Sequence, residues 1–117
     1  MKIKDIQEWE KDFAKRKGLL SPKNKSEAEE LLKIVFLKLV EEVGELSEAV
    51  LKKQFKEIPA EASDVIIFAC KIGKIVEDFY GQSPLTEILK KKIEYSEKRK
   101  YDEKLLTFDK PGGGFGK

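Results

Sequence analysis

Glu42 with Glu45, and Glu61 with Asp64, are the residues of this sequence best able to do chemistry. Each pair is spaced i,i+3, in LVEEVGELSEAV and EASDVIIFAC, segments that otherwise read as the most apolar helices of the chain. Residues three apart lie on one helical face. Two such pairs on neighbouring helices converge four carboxylates on a small volume, which is costly unless a cation sits among them. If one helix ends near Lys53 and the next begins near Lys56, the pairs lie within about 5 Å of each other along the hairpin axis.

The residue types that are missing narrow the chemistry further. There is no histidine, which excludes Ser-His-Asp and Cys-His catalysis and His-ligated zinc. Any metal must be held by oxygen, which favours Mg²⁺, with Mn²⁺ as the alternative. Cys70 is the single cysteine and sits in an apolar run, so it reads as a small buried apolar residue, and a reducing cytoplasm is expected. The 24 basic and 22 acidic residues are well mixed, giving no support for nucleic-acid binding. The N-terminal MKIKDIQEWEKDF lacks a signal-peptide core. Val65 to Val76, broken by Lys71 and Lys74, is too short to cross a membrane. A chain of 117 residues that is 39% charged and 40% hydrophobic reads as one globular domain.

The elements that must position the carboxylates follow from apolar spacing and turn signals. The sequence predicts four helices and no strands, an all-α antiparallel four-helix bundle. The first runs from about Lys2 to Lys17 and stops at Gly18. The second starts at Ser26, which has capping-box spacing with Glu29, and runs to about Lys53 along a stripe of Leu32, Phe36, Leu39, Val43, Leu46 and Val50. Pro59 opens the third, which ends at Gly81. Ser83 and Pro84 open the fourth, expected to end near Lys104. Residues 1–104 form the domain and 105–117 a flexible glycine-rich tail. That tail, FDKPGGGFGK, lacks the spacing and the Ser or Thr of a Walker phosphate loop.

Helical phase at about 100° per residue then sorts the charged side chains. Phe68, Ile72, Ile75, Val76 and Phe79 share one side of the third helix, with Glu61 inside that stripe and Asp64 at its edge. On the second helix Glu42 lies roughly 80° from the stripe centre and Glu45 roughly 60° beyond it, whereas Glu41 lies nearly opposite. On the fourth, Lys92, Ser96 and Arg99 continue the inner face of Leu85, Ile88 and Leu89. Such inward cations either pair with buried acids or meet an anionic ligand, of which phosphate is the natural one. Trp9 and Phe13, spaced i,i+4, are core or interface residues, or else stack on a nucleobase. Leu37, Val40 and Leu51 lie off the main stripe of the second helix, more apolar surface than one bundle buries, and imply a homo-oligomer.

EEVGE (Glu41 to Glu45) followed by EASD (Glu61 to Asp64) resembles the EExxE…ExxD signature of the MazG-like all-α nucleoside triphosphate pyrophosphohydrolases. KIEYSEKRKY is similar to that family's final basic helix. The resemblance covers about residues 30–101 and implies a homodimer or homotetramer that uses Mg²⁺ to split NTPs or dNTPs into monophosphate and pyrophosphate. Carried across by position, it makes Glu42, Glu45, Glu61 and Asp64 metal ligands and Glu41 auxiliary. Lys92 and Arg99 become phosphate contacts, as does Ser96, although many relatives carry asparagine there. With no histidine, the base that positions water is expected to be a carboxylate or the metal-bound water itself, and Glu45 is the choice. Two rivals stand beside this reading: phosphoribosyl-ATP pyrophosphohydrolase, on a related scaffold, and a non-catalytic helical oligomerisation or regulatory module whose acids bind a structural cation.

Overall fold

The computed structural model describes all 117 residues. Four helices account for most of the chain: α1 (Ile3–Arg16), α2 (Lys25–Leu51), α3 (Ile58–Tyr80) and α4 (Leu85–Glu97). Two short antiparallel strands, β1 (Tyr101–Asp102) and β2 (Thr107–Phe108), and a 3₁₀ turn at Pro111–Gly113 follow. The all-α expectation holds, with a two-stranded ladder added. Backbone packing divides the chain into one unit of Met1–Leu85 and another of Thr86–Lys117.

In the first unit α2 packs along α3, and α1 packs on α3 as well. Six residues, 52–57, join α2 to α3, so the two run antiparallel. The start of α2 differs from expectation. Asn24, not Ser26, is its cap, accepting the Glu27 backbone N–H at 2.9 Å through Oδ1. At the other end of the hairpin, α3 carries Pro59 in its first turn and stops at Gly81, whose φ of 65° is a left-handed cap that side-chain-bearing residues resist.

Ala28, Leu31, Val35 and Ile75 form the core, with Leu32, Phe68, Ile72, Phe79 and Tyr80 packed against it. The α3 stripe is therefore as expected, but the buried face of α2 is not. Val35 and Ala49 are buried, whereas Phe36, Val43 and Val50 are about half exposed. The packed seam is rotated by about one residue from the anticipated stripe and includes the small residues Ala28 and Ala49. Glu42, seven residues from both Val35 and Ala49, lies in this seam.

On the other side of α3, Lys71 and Lys74 face acids. Lys71 Nζ meets Glu10 Oε1 at 2.6 Å with both side chains largely buried, and Lys74 Nζ meets Asp78 Oδ1 at 3.2 Å. Gln7, also buried, donates from Nε2 to the Cys70 carbonyl at 2.9 Å. Of the lysines that break the apolar run, Lys71 joins α3 to α1, while Lys74 pairs within α3 with Glu77 and Asp78.

In the second unit α4 ends at Glu97, about two turns before the expected Lys104. Asp102 stops any continuation by turning the chain: its Oδ1 accepts the backbone N–H groups of Lys104 at 2.9 Å and Leu105 at 3.2 Å. The glycine-rich tail expected to be flexible carries the 3₁₀ turn, and the Tyr95 hydroxyl donates to the Pro111 carbonyl at 3.0 Å.

Candidate metal centre

Three carboxylates from the hairpin of α2 and α3 meet at this centre, with a fourth beside them. On α2, Glu42 projects from the packed seam and Glu45 from its solvent edge, while on α3 Glu61 continues the line of Phe68 and Ile75 toward the helix start. Oxygens of Glu42, Glu45 and Glu61 all lie within 4.8 Å of one another. Asp64 stands outside that triplet but close enough to act electrostatically on both Glu42 and Glu61.

No protein cation answers this charge. The ion pairs of α2 and α3 are Lys33–Glu29, Lys38–Glu41, Lys52–Glu48, Lys71–Glu10 and the Lys74 and Lys11 contacts to Glu77 and Asp78, none of which includes the four acids. Glu42 Oε2 and Glu61 Oε2 are buried without a hydrogen-bond partner, a costly state for a carboxylate. Burial first, and then Glu45 and Asp64, raise the Glu42 carboxyl above the ordinary range, with Glu61 adding to it. Glu61 is raised the same way, by burial, Glu45 and Asp64, and by Glu57. Both side chains remain partly open to solvent, which tempers the repulsion.

Such a nest fits a hard divalent cation, which takes several carboxylate oxygens and favours their charged forms. Its donors are all oxygen, as Mg²⁺ or Mn²⁺ prefers. Sequence reasoning missed Glu57, although its i,i+4 spacing from Glu61 across the start of α3 was available as a signal. Glu41 faces outward, paired with Lys38 at 3.4 Å, in keeping with the separation of Glu41 from Glu42 and Glu45 by phase.

A model of the MazG nucleotide pyrophosphohydrolase domain matches residues 26–100. The chain belongs to the MazG family. No curated protein and no solved structure matches it. The matched segment contains Glu42, Glu45, Glu61, Asp64 and α4, and the mostly helical structure is consistent with the all-α fold of that family. No helix is long and apolar enough to cross a membrane.

Trp9 and Phe13 stack on each other, with centroids 5.1 Å apart and planes at 24°. Trp9 lines an apolar recess of about 490 Å³ with Ile6, Ile66 and Ile67, and Phe13 is not in its lining. A larger hollow of about 730 Å³ runs between α1 and α3 past Lys71 and Lys74, where those cations are already paired with acids.

Lys92, Ser96 and Arg99 belong to the second unit. Helical phase placed Arg99 on the inner face of α4, but it lies two residues past the helix end. Its position is set instead by the tail: Nε donates to the Asp109 carbonyl at 2.6 Å and Nη2 to the Phe108 carbonyl at 3.2 Å. Lys92 is exposed, with Nζ 4.7 Å from the Phe115 ring centroid. Ser96 is exposed, and its backbone carbonyl accepts the Arg99 N–H at 3.1 Å.

Proposed function

We propose that this MazG protein is a Mg²⁺-dependent nucleoside triphosphate pyrophosphohydrolase, cutting an NTP or dNTP between the α- and β-phosphates to give the monophosphate and pyrophosphate. The orphaned, buried oxygens of Glu42 and Glu61, facing Glu45 with no protein cation among them, carry the reading. Glu42, Glu45, Glu61 and Asp64 hold the ion, and Glu45, the most solvent-open of the triplet, positions the attacking water as general base. Mg²⁺, when bound, supplies Lewis acidity at the phosphoryl oxygens. Glu41 acts from behind Glu42 and Glu45 as an auxiliary acid. Lys92 and Arg99, with Ser96, contact phosphate and offset charge developing on the leaving pyrophosphate. The exposed part of Trp9 is the candidate for base stacking, with Phe13 backing it.

The working form is a homo-oligomer, supported by the exposed apolar side of α2. A cytoplasmic setting suits the single thiol, since Cys70 is buried and unpaired.

The test is a substrate panel: each NTP, each dNTP and phosphoribosyl-ATP with Mg²⁺, read by pyrophosphate release. Release from a nucleoside triphosphate is expected. Cleavage of phosphoribosyl-ATP alone would move the protein to the histidine-biosynthesis activity. Mg²⁺ binding without cleavage of any substrate would make it a non-catalytic module.

A further inference from the structure

The tail beyond α4 has no part in the function proposed above, yet it makes the main contacts of the two cations assigned to phosphate. Tyr95 is the centre of this arrangement. Lys92 Nζ lies 5.8 Å and Arg99 Cζ 6.0 Å from its ring centroid. Its hydroxyl is tied to the Pro111 carbonyl at 3.0 Å. Phe115 packs edge-on against Tyr95, centroids 5.7 Å apart, and presents its own face to Lys92 at 4.7 Å. Phe108 lies 5.5 Å from Arg99 Cζ, while the carbonyls of Phe108 and Asp109 accept two guanidinium donors.

These contacts orient the two cations without neutralising them. Rings and carbonyls attract a cation but carry no net charge. Lys91, next to Lys92, is by contrast paired with Glu87 at 3.3 Å. Neither Lys92 nor Arg99 is in any ion pair of the chain, and the Asp109 carboxylate is turned to the Lys100 backbone N–H at 2.7 Å. Of the five donors of a guanidinium, Arg99 commits two to the tail. Lys92 keeps the hemisphere away from Phe115 open. The glycines let the chain double back to bring Phe115 to Lys92: Gly112 at φ 67° and Gly114 at φ 123° occupy conformations that other residues rarely adopt.

We propose that residues 108–117 are a positioning strap, with Phe115 and Phe108 holding Lys92 and Arg99 as a pre-formed, charge-intact pair for a polyphosphate anion. The proposal rests on the assignment of those two cations to phosphate. Pre-orienting long side chains lowers the entropy lost when the anion binds, so the strap acts on affinity and leaves the chemical step alone.

The full chain and its Phe115→Leu and Phe115→Tyr variants test this, by calorimetric titration with inorganic pyrophosphate in Mg²⁺ buffer and by steady-state kinetics on the best-cut nucleotide. Leucine keeps apolar bulk but removes the ring, whereas tyrosine keeps the ring. Phe115→Leu should weaken pyrophosphate binding and raise KM by about two- to five-fold, the strength of an exposed cation–π contact, at unchanged kcat. Phe115→Tyr should restore both to wild-type values, and thermal melts should show all three proteins folded. Equal affinity in wild type and Phe115→Leu overturns the strap, as does tighter binding in Phe115→Leu, which would mean that the tail competes with the anion. So does a wild type that binds no pyrophosphate. If wild type cleaves no nucleotide but binds pyrophosphate, with loss in the leucine variant and rescue in the tyrosine one, the hydrolase reading falls and the strap stands.

Discussion

Replacing Glu61 by glutamine removes one charge from a group of mutually repelling carboxylates while keeping the side chain's size. Turnover should fall by at least about a hundredfold, since even residues that only support metal ligands contribute 10- to 100-fold. Without metal, the melting temperature should stay level or rise, because the charge lost was unpaired. Pyrophosphate release and melts in EDTA check the two halves, and a variant that melts well below wild type would make Glu61 structural. Protons give an independent view. Glu42 and Glu61 hold theirs to higher pH in the folded chain than in the unfolded one, so the folded state binds more protons between the ordinary carboxylate range and the raised values. The stability this contributes is complete below the ordinary range and is lost as pH rises through the raised values. In EDTA the melting temperature of wild type, relative to Glu61→Gln, should therefore fall across that interval, and Mg²⁺ should abolish the fall. A difference that stays flat with pH in EDTA would rule out the repulsion. At this scale the sequence was most legible on α3, where large apolar residues define one stripe. Glu42 was harder to place because the seam beside it is marked by Ala28 and Ala49, whose small side chains carry little weight in an apolar pattern.

Elements were legible where proline or glycine sets a boundary through its backbone and misread where a side chain does, as Asn24 does at the start of α2. Pro59 and Gly81 bracket α3 as expected, since both act through their own backbone. The end of α4 is decided by Asp102 and by the Tyr101–Phe108 pair, with centroids 5.0 Å apart, which no helical period records. The entry of α4 offers a sharp packing test at Gly73. A Cβ there would meet Leu85 Cδ2 at 3.0 Å and Cβ at 3.1 Å. The Leu85 Cβ is fixed to the backbone, so a rotamer change cannot clear it. Gly73→Ala should gain roughly 1 kcal/mol in helix propensity and lose about 1–3 kcal/mol to overpacking. The net expectation is a loss of about 1 kcal/mol, seen as a melting temperature about 4 °C lower. A stabilised variant would show that Leu85 moves freely and that the contact does not fix the start of α4.

For the whole molecule, the deciding feature is the apolar surface that one chain leaves exposed. Leu37, Val40 and Leu51 are 66%, 52% and 78% exposed, and Phe36, Val43 and Val50 stand beside them on α2. Phe36, Val43 and Val50 recur at seven-residue spacing, as do Leu37, Gly44 and Leu51, so α2 carries a second apolar side that its own chain leaves exposed. α3 covers the first. Gly44 lies within the other, with nothing within 4 Å of a Cβ placed there, which lets a second backbone approach closely. A second copy of the chain is the occupant in the proposed function, and the same helix bears Glu42 and Glu45, so association would stiffen the element that presents half of the acidic centre. Val40→Glu puts a charge in the middle of this exposed side while leaving the α3-facing side untouched. An unpaired charge buried in such an interface costs about 3–5 kcal/mol, or on the order of 10²- to 10³-fold in dissociation constant. Light scattering after size exclusion should give a multiple of the chain mass for wild type and the single-chain mass for Val40→Glu at the same concentration, with helix content by circular dichroism unchanged. Wild type running as a single chain at high concentration would overturn self-association through α2, while Val40→Glu remaining oligomeric would move the interface to another face.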